Sequence, residues 1–452
     1  MFSGFNKVFI QGLIFIFMKP TNAHPGDYVE IHLTHKIYEG VLLESSESGI
    51  VLLKLDTGYN LGFNKKDVVE IKLKKKFKDE LAPKGVPPNS ENGGNIKRDN
   101  KKPNIAMIIT GGTIAARLNP KKGGVDWLDT PESLFKFYPG IFDKVNIAKI
   151  EVPFMKASED MDFKDWQKIA KTAKKLLDDD NIRGIIITHG TDFLHYTSVA
   201  LSFFLRDLNK PVVLTYSQRS IDRASSDANL NLQCSALASV SDIAEIMLVG
   251  HASTNDDFCY AMPGTKVKKL HSSSRDAFKV VNSKPFAKIF KDRIEKISEY
   301  NVRNNKKVKL DLKFEEKVAL IKIYPGQEPD ILDYYLKKKY KGIVLEMSGL
   351  GHAPTSRSRN SWIKKLKEVQ EKGLIVCGVA QTIFGRLNPL VYSNGRELLA
   401  TGIIYLEDML AETALVKLGW VLGHEEWAKD KKIVREKMLT NISGELNDRL
   451  EE

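Results

Sequence analysis

NIAMIITGGTIAARL (Asn104–Leu118) and GIIITHGTDFLHYTSVALSFFL (Gly184–Leu205) are the two stretches that decide the fold. Each is an apolar run that ends in a Gly-Thr turn and passes into a helix-like pattern. An uninterrupted apolar run is a strand buried on both faces, as in a parallel sheet covered by helices. Further runs follow: NIAKIEV from Asn146, PVVLTY from Pro211, EIMLVG from Glu245, VALIKIY from Val318, GIVLEM from Gly342 and GLIVCGV from Gly373. Helical stretches lie near them. In DFKDWQKIAKTAKKLLDD, Phe163, Trp166, Ile169, Ala170 and Ala173 keep helical spacing behind Asp162, which suits an N-cap. NSWIKKLKEVQEKG, from Asn360, is another. This alternation predicts an α/β body with a mostly parallel sheet. Sites in such folds lie beyond the carboxyl ends of the strands, where both Gly-Thr turns fall.

Working outward, residues 25–73 change character. DYVEIHLT, KIYEGVLLES, GIVLLKL, YNLGFN and DVVEIKL are short and β-like, with turn residues SSESG and DTG between them. They predict a small β-barrel-like domain. Residues 74–103 are rich in Pro, Gly, Asn and charge and read as a linker. The body divides into an N-terminal α/β domain over 104–290, a charged connector over 291–316 and a C-terminal α/β domain over 317–452. Residues 1–24 form an extension whose apolar stretch, Val8–Met18, is short for a membrane span. It resembles a signal-peptide core; translation from Met18 suits the remainder of the chain better. The expectation is a cytoplasmic protein without membrane association.

Composition sets bounds. The chain has 452 residues, 42% hydrophobic and 28% charged, which is globular. Lys+Arg is 69 against 57 for Asp+Glu, a net charge of +12 that permits a polyanionic partner. The excess is spread along the chain, densest near Lys72–Lys78, Lys97–Lys102 and Lys337–Lys341, whereas a single RNA-binding stripe would be more concentrated. Three cysteines, Cys234, Cys259 and Cys377, form no CxxC pair. That argues against a disulfide scaffold and a zinc site and fits a reducing compartment.

A threonine at a strand end could serve a phosphate loop or a nucleophile. TGGTIAAR has neither the G-x-x-x-x-G-K-[ST] nor the G-x-G-x-x-G spacing. The plain alternative is a tight turn made by Gly111 and Gly112. THGTD sets Thr191 beside Asp192. A hydroxyl needs a base and a relay to become a useful nucleophile, although Asp192 also suits a helix N-cap. MPGTKVKKLHSSSRDAFKVVN, from Met262, supplies Lys268 and Lys269. Either alone is most simply a solvated charge. Brought against Thr191 and Asp192, a lysine whose pKa burial lowers completes a Thr-Lys-Asp relay.

With TGGTIA and THGTD about eighty residues apart, the chain from Asn104 onward resembles the L-asparaginase/glutaminase family. The resemblance implies that Thr113 carries the nucleophilic hydroxyl of the first signature. Thr191, Asp192 and Lys269 form the second relay, with the choice of acylated threonine left open. Lys269 aligns as the family's lysine by counting back from Phe278, with Lys268 as its neighbouring alternative. MKASEDMDF, from Met155, resembles the substrate-binding segment. It implies that Ser158 contacts the substrate α-carboxylate and that Glu159 stands beside it, where many homologues have Gln. One departure concerns the family's loop tyrosine. Between Ala115 and Leu134 the only aromatic residue is Trp127, and Tyr138 lies too far along. The resemblance also implies a homodimer in which the C-terminal domain helps close the partner's site.

The β-rich extension, the linker and AQTIFGRLNPLVYSNGRELLATGIIYLEDMLAETALVKLGWVLG (Ala380–Gly423) resemble a narrower family, the D subunits of archaeal-type Glu-tRNA(Gln) amidotransferases. That resemblance implies a glutaminase that releases ammonia from glutamine, with asparagine as a second substrate. An E subunit would activate Glu-tRNA(Gln) with ATP and Mg²⁺, and ammonia would convert it to Gln-tRNA(Gln). No cofactor is expected in this chain. Two other readings stand beside it: a stand-alone cytosolic L-asparaginase, and a non-catalytic tRNA-binding or assembly subunit.

Overall fold

The computed structural model describes residues 21–45, 48–55, 60–76, 101–118, 125–127, 141, 143–220 and 226–450. The readings of the first seventeen residues, of Tyr138 and of most of the linker lie outside these residues, as does the Trp127 side chain.

The N-terminal unit contains five strands: β1 (Tyr28–Leu33), β2 (Ile37–Leu43), β3 (Ile50–Lys54), β4 (Asn60–Asn64) and β5 (Val68–Lys75). They form one antiparallel sheet in the order β4-β3-β2-β1-β5. Period-two alternation decides its faces. Val29, Ile31, Leu53 and Val68 are fully buried, while Tyr28 and Glu30 turn outward. Each of the five β-like runs read from the sequence forms a strand.

The body has sheets of its own. The largest contains β6 (Asn104–Ile109), β7 (Asn146–Glu151), β8 (Ile185–Thr188), β9 (Val212–Thr215), β10 (Ile246–His251), β11 (Cys259–Pro263), and the short strands Ala287–Ile289 and Ile294–Lys296. The five strands β7-β6-β8-β9-β10 lie side by side and run parallel, with the remaining three antiparallel at one edge. In order of appearance the parallel strands read 2-1-3-4-5. The chain leaves β6 toward one side, returns across it and continues on the other. Between β6 and β8 lies the topological switch point, where a crevice opens outside the carboxyl ends of the strands. Both Gly-Thr turns leave the sheet there.

Helices α1 (Phe163–Leu177), α2 (Leu194–Phe204) and α3 (Ala228–Val240) cover this sheet. Asp162 caps α1 in a capping box with Asp165, and Ile169, Ala170, Ala173, Leu176 and Leu177 form its buried stripe. A correction concerns the first Gly-Thr turn. The helix-like pattern after it is not a helix: Thr113–Ala115 make one 3₁₀ turn and Ala116–Leu118 continue as a strand. Pro120 and Gly123-Gly124 follow at once, and such residues do not support helix extension.

The C-terminal domain has a four-stranded parallel sheet: Val318–Lys322, Gly342–Met347, Ile375–Ala380 and Ile404–Tyr405, in that order. Its helix α4 (Ala411–Leu422) is buried along its length and packs against α2, with Phe203 stacked on Trp420 at 5.5 Å. One apolar core therefore runs from Ile108 and Leu214 through Phe203 to Val344 and Trp420. The chain terminus is tied to α4 by a buried ion pair. Lys417 Nζ lies 2.6 Å from Glu445 Oε1, with both side chains fully buried. Lys417 also donates to the carbonyls of Met438 and Thr440, and Glu445 accepts from the Ile442 and Ser443 amides. Lys417→Met leaves the Glu445 carboxylate buried without its counter-charge. It is expected to destabilise the body by about 3–5 kcal/mol, measured as a lower urea midpoint.

Candidate active site

The site is assembled by backbone contact. Thr110, at the end of β6, donates both its amide (3.2 Å) and its hydroxyl (2.8 Å) to the Thr188 carbonyl at the end of β8. The next residues are glycines in left-handed conformations, Gly111 with φ 117° and Gly112 with φ 82°. A Cβ on Gly112 would stand 2.4 Å from the Gly190 amide nitrogen, and one on Gly111 would stand 2.4 Å from the Lys156 carbonyl. A Cβ on Gly190 would meet Ser158 at 3.1 Å. Three chain segments thus touch through hydrogen-only positions: TGGT, THGT and the KASED segment after β7. Gly112→Ala faces both an unfavourable φ and that collision. It is expected to cost at least about 1–3 kcal/mol and most of the amide hydrolysis, checked by denaturation and by ammonia release.

The residues singled out from the sequence fall around this junction. Thr113 opens the 3₁₀ turn, partly buried. Thr191 and Asp192 follow Gly190. Lys269 lies on β12 (Val267–Lys269), paired with β13 (Phe278–Val280). Its Nζ donates to Thr191 Oγ1 at 2.9 Å and to Asp192 Oδ1 at 2.6 Å. Thr191 in turn donates to the same carboxylate oxygen at 3.3 Å. The lysine side chain is 10% exposed and Asp192 58%. The Lys269 ammonium holds the Asp192 carboxyl below the usual carboxylate range. Asp192 is not an N-cap: Phe193 holds that position without a side-chain hydrogen bond. Lys268 points elsewhere, donating to Glu412 Oε1 at 2.6 Å.

Ser158 is buried and accepts from the Phe193 amide at 3.2 Å, at the start of α2. It donates to Glu159 Oε2 at 3.3 Å, and Glu159 itself is exposed. The segment is held from two sides. The Lys156 amide donates to the Thr110 carbonyl, and Lys156 Nζ binds both oxygens of Asp165 at 2.9 and 2.8 Å. The Asp165 carboxylate raises the Lys156 pKa.

Sequence reasoning passed over several residues here. His189 is fully buried. Its Nδ1–H donates to the Gly190 carbonyl at 2.7 Å, which leaves Nε2 to accept from the Thr197 hydroxyl at 2.9 Å. Asp227, also buried, accepts from the Gln218 and Arg219 amides and shapes the loop that follows β9; burial pushes its pKa up. Thr188 Oγ1, Ser217 Oγ, Gln218 Nε2 and Ser220 Oγ are buried at this end of the sheet with no partner among the described residues. The usable signals were the His inside THGTD and the polar SQRS after VVLTY. Among the described residues no group of three or more His, Cys, Asp or Glu side chains is arranged to hold a metal ion, and no helix is long and apolar enough to cross a membrane.

The description "Asparaginase, N-terminal" matches residues 104–301, and "Glutaminase/Asparaginase C-terminal domain" matches 317–438. "GatD N-terminal domain" matches 23–73. The D subunit of the glutamyl-tRNA(Gln) amidotransferase of Thermococcus kodakarensis is 45% identical over 90% of this chain and 90% of its own length. The chain belongs to this D-subunit family. The Pyrococcus furiosus member is 43% identical over 95% of this chain and 96% of its own. That of Methanothermobacter thermautotrophicus is 38% identical over 97% and 98%. Among solved structures, the thermostable L-asparaginase from Thermococcus kodakarensis superposes with a TM-score of 0.67 at 29% identity, covering 76% of this chain and all of that one. L-asparaginase I from Vibrio cholerae gives 0.65 at 26% identity, covering 76% and 99%.

Two buried imidazoles give this member of the D-subunit family a pH signature. Burial lowers the pKa of both His189 and His195 to about 4. Each stays neutral in the fold, so its contribution is fully present above its ordinary value of about 6.5. The contribution is lost as pH falls through about 4. Denaturant unfolding at a series of pH values is expected to show this acid loss, shallower by about one proton in His189→Gln.

Proposed function

We propose that this chain is the ammonia-generating glutaminase subunit of a tRNA-dependent amidotransferase. The observation that carries the reading is the Lys269–Thr191–Asp192 cluster at the switch point, beside the Gly112–Gly190 contact. The 23–73 match supports an amidotransferase component over a free asparaginase.

The chemistry is acyl transfer from a side-chain carboxamide. A threonine hydroxyl, of Thr113 or Thr191, attacks the amide carbon and a tetrahedral oxyanion forms. Amides of the two Gly-Thr turns are the donors available to stabilise it. The relay works from the free amine of Lys269, which takes the Thr191 proton and passes it to the departing nitrogen, with Asp192 holding the charge that develops on the lysine. Ammonia leaves, and water releases glutamate from the acyl-enzyme. Ser158 binds the substrate α-carboxylate with Glu159 beside it, and the polar atoms beyond β8 and β9 line the same end. In this reading glutamine is the donor, with asparagine as a second substrate. ATP and Mg²⁺ act on a partner E subunit that phosphorylates Glu-tRNA(Gln), and this chain dimerises within the larger cytoplasmic assembly. What replaces the loop tyrosine falls outside the described residues.

Ammonia release from glutamine, measured with and without the E subunit and Glu-tRNA(Gln), tests the assignment. Strong stimulation by both is expected; equal rates with asparagine preferred would return the chain to the free asparaginases. Thr191→Val and Lys269→Ala should each lower kcat by about a hundredfold or more. Near-normal rates in either would remove the relay.

A further inference from the structure

Lys269 does not sit on the large sheet. Among the described residues its strand β12 pairs only with β13, Val267 facing Val280, Lys268 facing Lys279 and Lys269 facing Phe278. Beyond the buried Val267 and Phe278, a ribbon three residue pairs long has little of its own to fix its position. Side chains alternate along a strand, so Lys268 and Lys269 leave β12 on opposite sides, while Lys266 lies in the turn that precedes the strand. Lys269 meets Thr191 and Asp192. Lys266 and Lys268 both meet the C-terminal domain.

The contacts on that side are numerous and charged. Lys266 Nζ lies 2.7 Å from Asp408 Oδ2, with the side chains 1% and 0% exposed. Asn447 donates to both oxygens of Asp408, at 3.1 and 2.8 Å. Lys268 Nζ donates to Glu412 Oε1 at 2.6 Å, in the first turn of α4. Glu412 Oε2 is buried with no partner among the described residues. The Thr413 hydroxyl donates to the Thr265 carbonyl at 2.8 Å, and the Thr265 hydroxyl to the Ser443 carbonyl at 3.0 Å. Beyond β13, Asn282 Nδ2 donates to the carbonyls of Gly385 and Asp408, and its Oδ1 accepts from the Gly385 amide. Asn282 and Glu407 are held at φ 54° and 55°, a conformation kept where the surroundings dictate it.

We propose that Glu412 is a positioning residue for the hydrolysis: through Lys268 it sets the place of Lys269, so that α4 of the C-terminal domain governs the relay within its own chain. The inference rests on the reading of Lys269 as catalytic. Lys268 and Lys269 share a peptide bond, and displacing one displaces the other. A proton relay works only within hydrogen-bond reach, and a misplacement of about 1 Å can cost about a hundredfold in rate. Anything that shifts α4 against the ribbon therefore changes the rate without touching the substrate.

The test measures kcat and KM for ammonia release by the full chain, together with Tm. The variants are Glu412→Gln, Lys268→Met, Lys268→Arg and Lys269→Ala. Glu426→Gln, which breaks the exposed Lys313–Glu426 pair, serves as control. Glu412→Gln and Lys268→Met are expected to lower kcat by about tenfold or more with KM within about twofold. Lys268→Arg should recover most of the rate, and Glu426→Gln should match the parent. If Lys269→Ala abolishes activity while both Glu412→Gln and Lys268→Met keep kcat within about twofold, the positioning role is wrong and the catalytic reading stands. A rise in KM at unchanged kcat overturns it equally. If Lys269→Ala stays active, the catalytic reading falls and the positioning role with it. Should Glu412→Gln fail to fold, the Lys268→Met and Lys268→Arg pair decides the question alone.

Discussion

Three glycines allow the backbone of this protein to touch itself where the chemistry is proposed. Gly112 lies against Gly190 and Gly111 against the Lys156 carbonyl, at separations that leave no room for a Cβ, and a Cβ on Gly190 would crowd Ser158. The remaining arrangement of the site depends on that closeness. The parallel order of β7, β6 and β8 creates a crevice at the switch point, but a crevice lined by ordinary side chains would keep the two threonines apart. Removing those side chains brings their turns within van der Waals reach. The left-handed φ of Gly111 and Gly112 then turns the chain away from β6 at once, so that Thr113 opens at the crevice.

Charge is handled differently at the site and behind it. At the crevice, Asp192 is more than half exposed and Lys269 nearly buried, so the ion pair is asymmetric. Water screens the carboxylate while the lysine is held among protein atoms next to a hydroxyl. Behind the ribbon, the Lys266–Asp408 and Lys417–Glu445 pairs are buried at both ends and their carboxylates accept further amide donors. Buried pairs of that kind hold geometry more than they add stability, since desolvation offsets much of their attraction. The geometry they hold is the seating of the ribbon and of the chain terminus on α4. Histidine follows the same division. His189 is kept neutral by burial, which lets it fix the Gly190 carbonyl as a hydrogen-bond donor without bringing a charge into the crevice.

The sequence by itself determined a good deal. Uninterrupted apolar runs such as IAMII and GIIIT, short and bounded by turn residues, suit strands covered on both faces, and the alternating runs before Leu73 suit strands with one wet face. Thr113, Thr191 and Asp192 were legible because strand ends and turn glycines are local features. The division of Lys268 from Lys269 was legible in principle, because period-two alternation must separate neighbours, but which of the two faces Thr191 was not. The family resemblance pointed to Lys269, but the local pattern could not, because Thr191 lies 78 residues away in the chain. His189, Asp165 and Asp227 were passed over for a related reason. A single polar residue looks solvated until its buried partner is known, and Thr197, Lys156 and the amides after β9 become those partners only once the strands are ordered. The first Gly-Thr turn misled in the opposite sense, since its helix-like spacing was outweighed by the proline and glycines that follow. Tertiary structure alone decided the contact of Gly112 with Gly190 and the ion pairs that join the Lys269 ribbon to the C-terminal domain. Both are long-range, and their geometry is fixed by the packing of the whole core rather than by the residues that meet.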